Sequence, residues 1–279
     1  MKRTILLTAA VFLVSVLAGP LAAQQLVIEG STTVGPIVDA FKARFDEMHP
    51  EVRISVSKTG SGNGATALIE GRCDIAMMSR FMKPSKDGKE GEFAKAVANG
   101  VYPVAHAIAN DGVCVVVHPS NPVKALTTEQ ARDIYTGKIT NWKELGGLDM
   151  KIIPVSRDSA SGTYETFEGL VMKKQDMAAH VEYVSSNPQA QARVKTTPGA
   201  VGYVGLAFLD GVRALDIDGV APTRRTVASG TYPISRPLFL FTNGYPELGT
   251  LTHEFVTFYL TETGQEIIEA KGFVPLTSY

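Results

Sequence analysis

Three short stretches of this chain set hydroxyl-bearing residues and glycines between an apolar run of strand character and an apolar run of helical spacing. They are Gly30-Ser31-Thr32-Thr33, Thr59-Gly60-Ser61-Gly62-Asn63-Gly64 and Arg157-Asp158-Ser159-Ala160-Ser161-Gly162-Thr163. The first N–H groups of a helix have no carbonyl one turn back and carry the positive end of its dipole. Such a turn can therefore hold an oxyanion without a formal charge. Serine and threonine add O–H donors, glycine lets the backbone come close, and Arg157 supplies a planar fork suited to two oxygens of one tetrahedral anion. Any one of these turns is an ordinary helix start, because serine and threonine are good caps. Three of them together with an arginine, spread over two α/β units, point to one small oxyanion replacing its hydration shell with these donors.

The elements that must carry the turns can be read from periodicity. Leu26-Val27-Ile28 has the character of a buried strand, and Val34, Ile37, Val38, Phe41, Phe45 and Met48 recur at helical spacing, with Pro36 tolerated in the first turn. Val52, Ile54 and Val56 alternate as a second strand, a short helix with Ala65, Leu68 and Ile69 ends at Gly71, and Ile75 to Met78 is a third strand closing on Ser79-Arg80. The second unit has an apolar strand at Val113–Val117 and a helix through Glu129 to Tyr135. A strand at Ile152–Val155 follows, then a helix whose apolar face is Tyr164, Phe167, Leu170 and Val171, and a glycine-flanked strand at Gly199–Val204. Thr263-Gly264-Gln265-Glu266 fits a capping box and Gly272 a helix stop. Strands alternating with helices imply an α/β fold whose ligands bind beyond the carboxyl ends of parallel strands. The charged segment Lys83–Gly91 reads as a solvated loop, and Trp142, Phe255, Phe258 and Tyr259 as core.

Composition narrows the function classes. Lys2-Arg3, the apolar run Ile5–Ala18, Gly19-Pro20 and Ala22-Ala23 have the layout of a secretory signal peptide over residues 1–23. That apolar run falls short of the roughly 20 residues of a spanning helix. No cysteine follows Ala23 closely, so no lipid attachment is expected there, and the expected location is the periplasm. A formal net charge of −1 gives no reason to expect nucleic acid as a partner. Cys73 and Cys114 sit in apolar runs, where they either pair or serve as small buried apolar residues. The five histidines (His49, His106, His118, His180, His253) show no metal-ligand spacing, and Ser161 has no base beside it in sequence. The expectation is a protein without catalytic residues, metal or cofactor, with a secreted phosphatase as the enzyme alternative. An adhesive or structural secreted protein has no need of glycine and hydroxyls at all three turns.

Gly30-Ser31-Thr32-Thr33-Val34-Gly35-Pro36, Gly60-Ser61-Gly62, Asp74-Ile75-Ala76 to Ser79-Arg80, Ile139-Thr140-Asn141-Trp142 and the 157–163 stretch resemble the phosphate-binding receptors of ABC importers, the PstS family, over nearly the whole chain beyond the signal. The resemblance implies a type II periplasmic-binding fold, each lobe a mixed, mostly parallel sheet with flanking helices. Lobe 1 would comprise residues 24–112 and 237–279 and lobe 2 residues 113–236, joined by a two-crossing hinge. It implies inorganic phosphate bound by Thr32, Thr33 and Ser61 from the first lobe and by Arg157, Ser161, Gly162 and Thr163 from the second. The expected partner is a membrane permease of an ABC importer, and the receptor is expected to be a monomer. Where well-known members carry an aspartate that accepts the proton of bound phosphate, this chain has Ser79-Arg80. Arg80 is counted as a further phosphate ligand, with Ser79 the alternative at that position. An arginine cannot accept a proton, which leaves sulfate, molybdate and tungstate as alternative ligands, and two arginines favour the more charged form, which shifts the expectation toward the phosphate dianion.

Overall fold

The computed structural model describes residues 25–277, so the expected signal peptide lies outside the described residues. The first stretch runs β1 (Gln25–Gly30), α1 (Gly35–Met48), β2 (Arg53–Ser57), α2 (Ser61–Ile69), β3 (Ile75–Met78) and α3 (Glu92–Ala98). β1 lies parallel to β2 on one side and β3 on the other, as strands joined by helical crossovers must. The middle stretch comprises β4 (Pro103–Val117), β5 (Ala125–Leu126), α4 (Thr128–Thr136), β6 (Ile153–Arg157), α5 (Gly162–Phe167), β7 (Glu182–Val184), α6 (Asn187–Lys195), β8 (Ala200–Gly205), β9 (Arg213–Ala214), β10 (Asp216–Ile217) and α7 (Arg224–Ala228). The chain closes with β11 (Ser235–Asn243), α8 (Leu251–Thr257) and α9 (Glu262–Ala270).

The main sheet has the order β2-β1-β3-β11-β4-β8-β6-β7, with β9 pairing on β4. β6 is parallel to both β7 and β8, whereas β11 and β4 run antiparallel to their neighbours, so the sheet is mixed. β4 serves both parts: residues 103–112 pair with β11 and Val113–Val117 pair with β8. Strands β3 and β8 are buried at every residue, which explains their unbroken runs of apolar and small residues.

Two apolar clusters fill the molecule. The larger packs α1, β4, β8 and the helices of the middle stretch, with Phe41 edge-on to Phe255 and Phe258 and Phe45 edge-on to Phe258. The smaller lies under α2 and contains Leu68, Met78, Phe239 and Phe241. Cys114 belongs to the first and Cys73 to the second, and both are free thiols serving as apolar filler. Trp142 is core as expected, its indole N–H donating to the Gly199 carbonyl at 3.0 Å.

Local details depart from the sequence reading at three places. α2 starts at Ser61 rather than Ala65, because Gly60, at φ +108°, makes the turn alone and leaves Ser61–Gly64 as the first helical turn. After α5 the chain widens into a π turn over Glu168–Met172, which shifts the helix phase by a residue. Val171 and Met172 are buried while Leu170, expected on the apolar face, faces solvent. The last helix is capped by Thr261, whose hydroxyl accepts from the Gly264 N–H at 3.0 Å, and Thr263 lies inside it.

Candidate functional site

The three turns follow the ends of β1, β2 and β6. At the first, Gly30 is obligatory: φ is +136°, and a Cβ would stand 2.2 Å from the Met77 carbonyl oxygen. That close passage brings the Ser31 N–H to the same oxygen at 2.8 Å and aims the following residues away from the sheet. The Ser31 hydroxyl accepts from the N–H groups of Thr33 and Val34 at 3.1 and 3.3 Å and so closes the turn that leads into α1, leaving the hydroxyls of Thr32 and Thr33 for other work. At the third turn Ser161 plays the same part, accepting from Thr163 and Tyr164 at 3.2 Å each. A hydroxyl that accepts twice still has its own proton to donate, so capping and anion binding are compatible in Ser161.

The three turns meet. The Thr33 and Thr163 hydroxyls are 3.1 Å apart, and the Gly62 N–H donates to the Ala160 carbonyl at 2.9 Å. Gly162 packs so tightly that a Cβ there would lie 2.5 Å from the Oγ atoms of both Ser61 and Ser79. Ser61 Oγ accepts from the Ser79 N–H at 3.1 Å and lies 3.2 Å from the Ser79 hydroxyl. Thr32, Thr33, Ser61, Ser79, Ser161 and Thr163 are all buried. Hydroxyls from residues 130 positions apart thus form one cluster, enclosed from water.

Arg157 enters it from the end of β6 and is 1 % exposed. Its Nη2 donates to Thr32 Oγ1 at 3.2 Å and to the Ser185 carbonyl at 2.7 Å, and its Nε to the Val184 carbonyl at 3.3 Å. Nη1 is buried without a hydrogen-bond partner. Burial pulls the guanidinium pKa down to about 10, against an opposing pull from Asp158. A buried cation held mainly by neutral oxygens, with a donor left over, is an electrostatic deficit that an anion would cancel.

The residues expected from sequence therefore assemble, with one exception. Arg80 is turned out of the hydroxyl cluster: Nη1 and Nη2 hold the two oxygens of Glu92 at 2.6 and 2.7 Å, and Nε meets the Glu165 carboxylate. Its charge is answered by these two carboxylates, and it is Ser79 that stands beside Ser61. Lys83, read as part of a solvated loop, is likewise tied to Glu165 Oε1 at 2.5 Å, although most of Ser85–Glu90 is exposed.

Three residues went unseen in the sequence. Asn187, at the start of α6 and fully buried, donates to Thr33 Oγ1 at 2.8 Å and Thr32 Oγ1 at 3.3 Å, while its carbonyl accepts from the Gly205 N–H. Arg236 on β11 donates to Thr163 Oγ1 at 2.9 Å and Thr33 Oγ1 at 3.3 Å. It is paired at 2.9 Å with Asp111, its partner in register on β4, whose other oxygen accepts from the Leu206 N–H. Burial pushes Asp111 up and Arg236 down, each opposed by the other's charge. Arg236 differs from Arg157 in carrying its own counter-ion. Asp111 sits in the middle of β4, Arg236 one residue into β11, and Asn187 follows an unremarkable Ser-Ser, so none had a local pattern to mark it.

A mixed α/β sheet with hydroxyl-rich helix starts converging on an uncompensated arginine defines a solute-binding protein of the periplasmic-binding type. The PBP superfamily domain model matches residues 17–263. The phosphate-binding protein PstS of Bacillus subtilis is 37 % identical over 259 residues, covering 92 % of this chain and 82 % of that protein. PstS of Borreliella burgdorferi is 30 % identical over 260 residues, with 88 % of each covered. Among solved structures, a phosphate ABC transporter substrate-binding protein with bound phosphate from Clostridium perfringens superposes with a TM-score of 0.81 at 33 % identity, over 91 % of this chain and 100 % of that one. An ABC-type phosphate transport receptor from Vibrio cholerae gives 0.71 at 32 % identity, over 89 % and 99 %. This chain belongs to the PstS family of phosphate-binding proteins.

Proposed function

We propose that this protein is an extracytoplasmic receptor that closes on inorganic phosphate and hands it to the membrane permease of an ABC importer, acting as a monomer and doing no covalent chemistry. Among the described residues no helix is long and apolar enough to cross a membrane. In this reading the lobes are residues 24–112 with 237–279, and 113–236. The hinge is the pair of crossings where β4 leaves β11 for β8 and where β11 begins. Phosphate displaces the direct contact between the Thr33 and Thr163 hydroxyls and takes donors from Thr32, Thr33, Ser61, Ser161, Thr163, the Gly162 N–H and the unpartnered Nη1 of Arg157. Binding energy is then realised only when both lobes contribute, which makes the closed form the one a permease can recognise.

Arg157 carries the proposal: it is a buried cation with a spare donor at the point where the three turns meet. A second oxyanion is admitted by the same shell, because the hydroxyls and N–H groups all donate. The buried carboxylate nearest the cluster, Asp111, is committed to Arg236 and the Leu206 N–H. Calorimetric titration of the protein with phosphate, arsenate, sulfate and molybdate decides between them. Phosphate and arsenate are expected to bind tightest, and heat from none of the four would refute the proposal.

A further inference from the structure

Beside the hydroxyl cluster lies an ion group built from both sides of the β4 crossing. Arg80, Lys83 and Glu92 come from the stretch that follows β3, and Glu165 comes from α5, one helical turn beyond Ser161. The Glu165 side chain is 11 % exposed and that of Arg80 10 %. Arg80 grips Glu92 through two short hydrogen bonds within its own stretch, which fixes its remaining Nε on Glu165. Lys83 reaches the same carboxylate from the solvent side, and its backbone N–H is anchored on Glu92 at 2.9 Å. Neither Glu165 oxygen makes a directional hydrogen bond, so this carboxylate is held by charge. Taken as formal charges the four side chains cancel.

The arrangement has two consequences if the stretches move apart. Glu165 loses both cations, and its bare carboxylate then faces the positive start of α5, where it competes with an incoming anion for the same dipole. Bringing the stretches together pairs Glu165 and frees that helix start. Closure and anion retention therefore favour each other across one contact that touches no anion. We infer that Glu165, with Arg80 and Lys83, is a latch between the two lobes that sets how long the bound anion is kept. The inference rests on the two-lobed phosphate-receptor reading above.

The test is stopped-flow kinetics with inorganic phosphate on the wild type, Glu165→Gln and Lys83→Met, with small-angle scattering of the ligand-free and phosphate-saturated proteins. Glu165→Gln keeps the size and helix position of the side chain and removes the charge. A latch predicts an off-rate raised about tenfold or more, a nearly unchanged on-rate, and a larger radius of gyration without ligand; Lys83→Met shifts in the same direction by less. Added salt should speed release from the wild type and do so less in Glu165→Gln. An off-rate equal to or slower than wild type in Glu165→Gln overturns the latch and leaves Glu165 as a local repulsion only. If Glu165→Gln does not fold, the half-exposed Lys83 carries the same comparison. Failure of the wild type to bind phosphate defeats the functional reading instead, and the ligand-free scattering still decides the latch.

Discussion

Replacing Arg157 by methionine separates what this residue does for the ligand from what it does for the fold. In the ligand-free protein the guanidinium is held at a pKa of about 10 against an ordinary 12.5, with burial as the main cause, which corresponds to roughly 3 kcal/mol of uncompensated charge burial. Methionine removes that deficit, but it also strands the Val184 and Ser185 carbonyls and Thr32 Oγ1, each worth about 1 kcal/mol as a hydrogen bond. The two effects oppose and are of similar size, so ligand-free stability is expected to move by no more than about 1–2 kcal/mol. The anion meets no such compensation: loss of a buried, charged donor costs about 2–5 kcal/mol of binding, or a Kd higher by about 30-fold to several thousand-fold. Titration calorimetry with phosphate and denaturant unfolding without it give the two numbers. A methionine variant that binds phosphate within threefold of wild type, or that loses 4 kcal/mol or more of ligand-free stability, refutes this account of Arg157. Arg157→Lys, which keeps charge but not the planar fork, should fall between.

Gly162→Ala should weaken phosphate binding by tenfold or more and lower Tm by several degrees. The new methyl group meets Ser61 and Ser79 at 2.5 Å, and overpacking of this kind costs about 1–3 kcal/mol; thermal melts and calorimetry read the two effects. Asp111→Asn leaves Arg236 buried without its counter-charge and should cost about 3–5 kcal/mol in urea unfolding. Asp111→Leu combined with Arg236→Met should regain most of that stability but not the phosphate affinity. His106, bonded to Thr242 at 2.9 Å, has a pKa below its ordinary 6.5, through burial and then the nearby His253. As pH falls below 6.5 the unfolded chain takes up this proton before the folded one does, so the folded state loses stability on acidification. Denaturant midpoints for His106→Gln should fall less steeply with pH in that window than those of the wild type.

Much of this architecture could be read from residue spacing, because an alternation of 2.0 and 3.6 periods around glycine–hydroxyl turns has few structural solutions. Seven of the eight residues that the resemblance marked as ligands lie together, each in or beside a turn whose strand and helix are locally encoded. Arg80 lies apart from them because its direction is decided by Glu92 and Glu165, the second of them 85 positions away on α5. Asp111, Asn187 and Arg236 are visible only once β4 and β11 are laid in register and α6 is docked on β8. A polar residue in the middle of a strand says nothing in sequence about which neighbour answers it. The expected division at residues 112/113 and 236/237 came with the family resemblance rather than from residue spacing. Beside those junctions the sheet places its paired charges, Asp111 opposite Arg236.

The two unpaired thiols have a practical consequence. Cys114 has no exposure and Cys73 only 7 %, and burial pushes the Cys73 pKa up to about 12 and that of Cys114 well above its ordinary value. Thiolate, the form that maleimides and disulfide reagents attack, is therefore scarce on both at neutral pH. A single cysteine placed on the surface, for instance at the exposed Leu170 beyond α5, would be the one that takes a fluorophore in the folded protein. The native sulfurs need not be removed, so the chain can be turned into an optical reporter of its own opening and closing with one substitution.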